Sequence, residues 1–190
     1  MGDVGNNKVI WLSPQGTLLG EVDKLRAHRP PGLLHLAFSV FVFRSDGGVL
    51  LQRRSEEKYH FAGLWSNSCC SHPGPGKSVE AEACHRAFEE LGISLSLERV
   101  GSFRYRANDE QSGLCEHELV HVFAGESDAL PRPDLGEIQE LEIVRFSFLM
   151  GDLLVHGSRY TPWLRTAVDT VAPWWHARYR NGIGSAVSRA

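Results

Sequence analysis

Glu116-His117-Glu118 opens a run that continues Leu119-Val120-His121-Val122-Phe123. On a β-strand, alternation puts Glu116 and Glu118 on one face with Val120 and Val122, and turns His117 and His121 the other way. Two carboxylates two residues apart, on a face that continues as valine, repel each other unless something neutralises them. A divalent metal does that. An edge strand with two solvated carboxylates has the same spacing, and acidic side chains are mostly exposed.

A second segment is Ser66-Asn67-Ser68-Cys69-Cys70-Ser71-His72-Pro73. In an extended chain Cys70 and His72 lie on one side. A cysteine is a candidate acid, base or nucleophile, and its pKa responds strongly to a nearby metal or cation. A buried thiol beside a loop histidine is the plainer reading. Structural zinc through Cys70-x-His72 and Cys115-x-His117 is a third, but structural sites usually space their cysteines by two to four intervening residues. His28 and His35 flank Pro30-Pro31-Gly32, and a mixed histidine and carboxylate set suits Mn, Zn, Fe or a tolerant Mg site. Lys24, Arg53-Arg54, Lys58 and Arg86 are cations able to gather around a diphosphate, or to lie scattered on a solvated surface.

These groups need elements to hold them. Val9–Leu12 reads as a strand leading into a Ser13-Pro14-Gln15-Gly16 turn. Asp23–His28 has room for one helical turn, stopped by the prolines. His35–Arg44 and Val49–Arg53 read as a strand pair around Asp46-Gly47-Gly48. Ser55–Phe61 is a polar connection. Ser78–Leu91 is the clearest helix, with Ser78 as its cap, Glu80 and Glu82 in its first turns and Gly92 as its stop. Glu98–Arg106, Glu116–Ala124 and Glu140–Phe148 read as strands. Thr161-Pro162 opens a C-terminal helix carrying Trp163, Trp174 and Trp175. The whole reads as one α/β domain, a mixed sheet sandwiched between helices, over residues 1–180 with a short N-terminal extension, followed by a frayed tail over 181–190.

The totals limit the options. With 190 residues, of which 42% are hydrophobic, the chain can bury a core without disulfide help. A net charge of −3 supplies no global field for nucleic acid, so an anionic ligand needs a local cationic cluster. Four cysteines, two of them adjacent, form no disulfide framework. Met1–Lys8 lacks the basic start and apolar run of a signal peptide, and no stretch approaches the ~20 apolar residues of a membrane span. A cytoplasmic protein with reduced thiols is expected, with no membrane and no nucleic-acid partner, as a monomer or weak dimer.

The helix end Glu89-Glu90-Leu91-Gly92-Ile93 resembles the tail of a Nudix box, whose glutamates hold Mg²⁺ in the hydrolases. Here the box is altered. His85-Arg86 stands where the family has Arg-Glu, and Lys77 follows Gly76 where the first glutamate belongs. Metal ligands have become cations at two places, which argues against ordinary diphosphate hydrolysis and leaves Glu90 for one Mg²⁺.

The chain as a whole resembles the type 1 isopentenyl-diphosphate isomerases. The resemblance is carried by Asp23-Lys24-x-x-x-His28, Leu34-His35-Leu36-Ala37-Phe38-Ser39, Leu51-Gln52-Arg53-Arg54, Trp65 to Pro73, Glu90-Leu91-Gly92, Phe103-Arg104-Tyr105-Arg106-Ala107 and Cys115-Glu116-His117-Glu118, in family order from about residue 8 to residue 170. It implies a Nudix-type fold and interconversion of isopentenyl and dimethylallyl diphosphate. It further implies that His28, His35, His72, Glu116 and Glu118 bind one divalent metal (Mn²⁺, Zn²⁺ or Mg²⁺), and that Glu90 binds an Mg²⁺ arriving with the diphosphate. Cys70 and Glu118 would handle protons, with Tyr105 supporting Glu118. Lys24, Arg54, Lys58, Ser71 and Arg86 would contact the diphosphate, and Trp163 the carbon skeleton. The rivals are a Nudix hydrolase of a nucleoside or other diphosphate and a non-catalytic relative. The latter should lack one of Cys70, Glu116, Glu118 or the histidines, and none is missing.

Overall fold

The computed structural model describes residues 8–179. Nine strands and four helices follow one another among them. They are β1 (Lys8–Leu12), β2 (Leu18–Asp23), α1 (Lys24–His28), β3 (His35–Phe43), β4 (Gly48–Arg54), β5 (Trp65–Ser66), β6 (Cys69–Ser71), α2 (Val79–Leu91), β7 (Glu98–Asn108), β8 (Cys115–Glu126), β9 (Ile138–Arg145), α3 (Phe146–Val155) and α4 (Leu164–Tyr179). A turn of 3-10 helix, Gly157–Arg159, lies between the last two helices. No described helix is long and apolar enough to cross a membrane. The tail expected over 181–190 and residues 1–7 of the N-terminal extension lie outside the described residues.

β3 organises the sheet. One edge pairs in parallel with β8 along its whole length, from His35↔Glu118 to Phe43↔Glu126. Its other edge is shared by three antiparallel partners: β1 at His35, β6 at Phe38–Val40 and β4 at Phe43. β7 extends the sheet beyond β8, while β5 and β9 pair with β4. Every residue of β3 is buried, because helices cover both faces and its apolar run fills both sides.

Alternation sorts the core. Phe41 and Phe43, with Val120, Val122 and Ala124 of β8, pack against α3 and α4 through Leu149, Leu153, Leu164, Val168 and Val171. Phe38, Val40, Val42 and Phe123 point the other way and pack against Ala83 and Leu91 of α2. Each of the Val, Leu and Phe side chains contributes about 1.5–3 kcal/mol on burial. α2 begins where Ser78 Oγ accepts from Ala81 N and ends at Gly92, whose φ of 68° is the left-handed conformation glycine adopts without a Cβ clash. The mixed sheet between helices is therefore the architecture expected.

Most expected strands are recovered with their ends shifted by one or two residues, and two differences concern the helices that follow β9. The strand expected over Glu140–Phe148 runs from Ile138 to Arg145, and Phe146–Phe148 instead begin α3. That helix is apolar on both sides. Phe146, Leu149 and Leu153 are buried while Phe148, Leu154 and Val155 are exposed, so its sequence carries little helical periodicity. Trp163 lies just ahead of α4 rather than on it.

Candidate active site

The start of β3 and the start of β8 meet at His35↔Glu118, and the loop before β3 returns to the same place. Asp23 caps α1 by accepting from Arg26 N, which fixes the turn that ends at His28. Gly32 lets the chain reverse between the two histidines: its φ is +78°, and a Cβ there would collide with Cys115 Sγ. His28, His35, His72, Glu116 and Glu118 consequently offer ligand atoms that all lie within 4.8 Å of one another.

The donor chemistry of this cluster fits a cation. His28 Nδ1 lies 2.7 Å from the carbonyl of Lys24, and His35 Nδ1 lies 2.7 Å from that of Leu33. A carbonyl only accepts, so both Nδ1 atoms carry hydrogen and both Nε2 atoms point into the cluster. His35 Nε2 faces His72 Nε2 at 3.1 Å. His28 Nε2 and Glu116 Oε2, both buried, face each other at 3.1 Å, and neither has another hydrogen-bond partner among the described residues. Acceptors crowd together and a positive centre among them satisfies all of them.

Charge in the cluster is tuned accordingly. Burial opposes ionisation of Glu116, but its contacts with His28 and His60 outweigh that and hold it well below the usual carboxylate range. Burial and Glu116 both push Glu118 up, yet His35 and His72 hold it low. Burial lowers His72 to about 3, which keeps its imidazole neutral, the form that ligates a metal. Glu118 is held at both oxygens: His72 Nε2 lies 2.8 Å from Oε1, and the Tyr105 hydroxyl donates to Oε2 at 2.8 Å.

A cavity of about 360 Å³ opens above this cluster. His72, Glu116 and Glu118 line it, while His28 and His35, fully buried, stand behind them. Cys70 also lines it. The register Ser39↔Cys70 places the Cys70 side chain on the Glu118 face of the sheet, and turns Cys69 to the opposite side, into the packing against α2. The sulfur of Cys70 donates to Asn67 Oδ1 at 2.9 Å and lies 3.5 Å from Ser39 Oγ. Asn67 is itself immobilised, since its Nδ2 donates to the carbonyls of Val40 and Cys69. Burial raises the Cys70 pKa against the opposing pull of Ser39 and Arg54, so the thiol is protonated.

All the cations implied for the diphosphate, Lys24, Arg54, Lys58 and Arg86, line this cavity, with Ser71 and Trp163. Arg53 does not; it pairs with Glu140 and the carbonyl of Gly63. Arg54 also builds the wall: its Nε and Nη2 donate to the carbonyls of Phe61 and His60, both at 3.0 Å. The Trp163 ring lies 5.5 Å from the Arg54 guanidinium carbon and 5.7 Å from the Tyr105 ring. Glu90 is buried just behind the cavity wall, its Oε1 2.8 Å from Arg86 Nη2. Glu90 is not among the five clustered ligands, so the two implied metal sites are distinct.

Two residues of this site escaped the sequence reading. His60, in the connection assigned only as polar, is buried, lines the cavity and places Nε2 against Glu116 Oε1. Its neighbour Phe61 sits at φ +47°, unusual for a residue with a side chain, and is held there by Asp109, which accepts from Phe61 N. Glu137 lines the cavity and ion-pairs with Lys58 and Arg86. Neither lies in a periodic segment, so neither carries a local signal.

The NUDIX domain family matches residues 33–164. An isopentenyl-diphosphate Delta-isomerase of Nocardia farcinica is 44% identical over 176 residues, 93% of this chain and 98% of its own. One from Halorhodospira halophila is 44% identical over 169 residues, 87% of this chain and 97% of its own. Among solved structures, a Deinococcus radiodurans protein superposes with a TM-score of 0.69 at 20% identity, covering 85% of this chain and 97% of its own. A MutT NUDIX hydrolase of Burkholderia pseudomallei gives 0.55 at 21% identity, covering 73% and 98%. At these identities the structural likenesses show the fold.

Proposed function

This chain belongs to the Nudix domain family and, within it, to the isopentenyl-diphosphate Delta-isomerases, and from that premise we propose that it interconverts isopentenyl and dimethylallyl diphosphate by a 1,3-allylic proton transfer. The observation that supports this reading most directly is the pairing of Cys70 and Glu118. They approach one cavity from the two strands flanking β3, and Lys24, Arg54, Lys58 and Arg86 line the same cavity.

The alkene of isopentenyl diphosphate has no neighbouring carbonyl, so removing a proton first would leave an unstabilised carbanion. Protonating the terminal CH₂ first gives a tertiary carbocation, and loss of a proton from C2 then sets the new double bond. The reaction needs one group that gives a proton, another that takes one, and no water between. We assign these roles to Cys70 and Glu118; the reverse reaction exchanges them. Tyr105 holds Glu118 in place. Positioned acid–base groups of this kind each give roughly 10²–10⁴-fold. The Trp163 face stabilises the cation, by about 2 kcal/mol in a desolvated site. Lys24, Arg54, Lys58, Ser71 and Arg86 would grip the diphosphate.

A divalent ion, Mn²⁺, Zn²⁺ or Mg²⁺, held by His28, His35, His72, Glu116 and Glu118 would supply a fixed positive charge that biases the protonation state of Glu118. Glu90 would serve an Mg²⁺ that arrives with the diphosphate. We propose that the chain works as a monomer or weak dimer. Four free thiols, Cys69, Cys70, Cys84 and Cys115, suit a reducing compartment, and we place the chain in the cytoplasm.

Hydrolysis of a diphosphate fits less well. Lys77 pairs with Glu82, and Arg86 with Glu89 and Glu90, so the glutamates of the altered box are neutralised by internal cations where a hydrolase collects metal. The test is isopentenyl diphosphate with Mg²⁺ in D₂O, followed by NMR. Deuterated dimethylallyl diphosphate is the expected product. Release of phosphate from nucleotides without isomerisation would overturn the reading.

A further inference from the structure

Glu137 is the residue immediately before β9, and its side chain is only 12% exposed. Its carboxylate ion-pairs with Lys58 Nζ, and its Oε1 lies 3.3 Å from Arg86 Nη2. The same Arg86 nitrogen holds Glu90 Oε1 at 2.8 Å. Lys58 and Arg86, which both line the cavity, therefore already carry a carboxylate.

The backbone keeps Glu137 there. Arg132 N donates to the carbonyl of Leu91 and Asp134 N to that of Glu90, which ties the preceding loop to the end of α2. Glu137 N donates to the carbonyl of Asp134, and Ser55 N donates to the carbonyl of Glu137, which ties it to the end of β4. The carboxylate can rotate about its side-chain bonds, but the loop cannot carry it away without breaking these bonds. A diphosphate seated on Lys58 and Arg86 must displace Glu137 and then lie beside it and Glu90. Like charges at that range in a partly buried site repel strongly.

We propose that Glu137 is an internal counter-ion of the phosphate grip, which makes diphosphate binding conditional on Mg²⁺. This rests on the isomerase reading of the cationic wall. Before substrate arrives, Glu137 neutralises Lys58 and Arg86. When a diphosphate takes those two cations, Glu137 and Glu90 are left with uncompensated charge, which the accompanying divalent ion balances. A phosphate ligand without its metal gains the cations but meets two carboxylates, and is rejected.

The experiment is calorimetric binding of inorganic pyrophosphate to the full chain, with its histidine-site metal retained, in the presence and absence of Mg²⁺. Wild type should bind pyrophosphate weakly without Mg²⁺ and much more tightly with it. Glu137→Gln should bind Mg²⁺-free pyrophosphate roughly tenfold more tightly than wild type, and should lose a similar factor of the Mg²⁺ enhancement, within the range typical of coupling between two ligands. Glu137→Ser should move both quantities the same way, and serves if the glutamine variant does not fold. Glu137→Asp, which keeps the charge, should retain the Mg²⁺ dependence. An unchanged Mg²⁺ enhancement in Glu137→Gln, or unchanged Mg²⁺-free affinity, overturns the proposal. A wild-type chain that isomerises isopentenyl diphosphate yet binds pyrophosphate equally well without Mg²⁺ overturns it alone. Failure to bind pyrophosphate with or without Mg²⁺ overturns the reading of the wall as well.

Discussion

Tyr105 and Glu118 are direct partners across the β7–β8 ladder, and the Tyr105 hydroxyl donates to Glu118 Oε2 at 2.8 Å. Burial, with Glu116 and Glu118 close by, raises the Tyr105 pKa well above its ordinary value, so the phenol keeps its proton and stays a donor. Tyr105→Phe removes that donor and little volume. Turnover should fall about 10–100-fold, the usual cost of losing a group that orients a metal-binding residue. Steady-state kinetics and a melting curve decide this; a fall in stability matching the fall in rate would make Tyr105 merely structural.

Cys69 and Cys70 are neighbours in sequence and face opposite sides of the sheet. Cys70→Ala and Glu118→Gln should each abolish deuterium incorporation into product while the fold remains intact. Cys69→Ala should remain active and lose about 1 kcal/mol of stability, typical of a small truncation in a core. An inactive Cys69→Ala beside an active Cys70→Ala would reverse the assignment.

Burial lowers Lys58 to about 8, with Glu90 opposing the shift and Arg54, Lys24 and Arg86 adding to it. Below pH 8 Lys58 is charged and can exchange Glu137 for a phosphate. Above it the free protein must take up a proton on binding, so affinity for Mg²⁺-pyrophosphate should weaken as pH rises through 8, by up to about tenfold per pH unit. Lys58→Met should bind more weakly at pH 7 and lose this dependence. A wild-type affinity that is flat from pH 7 to 9 would contradict the assignment.

His60 reaches Glu116 Oε1 and leaves Oε2 to the histidine cluster. His60→Ala frees that oxygen to rotate, and affinity for the cluster's divalent metal should drop about tenfold or more. Competition with a chelator measures it, and His60→Gln, which can still donate, should recover part of the loss. Because the metal binds the folded state, stripping it should also lower the melting temperature of wild type. A melting curve that ignores chelator would count against a metal at this cluster.

Much of this molecule was legible before folding. Val9–Leu12 and His35–Arg44 stand out as apolar, β-branched and aromatic runs, and Ser78–Leu91 because Ala83, Ala87 and Leu91 recur at helical spacing between Ser78 and Gly92, the types that end a helix. Alternation along a strand is what assigns the pair Glu116 and Glu118 to one face. α3 was not legible, since its exposed side is nearly as apolar as its buried one and the period vanishes.

What the amino-acid order determined by itself is which side chains share a face, because strand and helix repeats are properties of the local backbone. It separated Glu116 and Glu118 from His117, and set Cys70 and His72 on one side. The convergence of three histidines with those carboxylates was decided only when β3 took β8 along one edge and β6 along the other. The same holds for Glu137 against Lys58 and Arg86, and for His60 behind Glu116. Those contacts join residues tens of positions apart through loops without periodicity, and only the packing of the sheet against its helices brings them within reach.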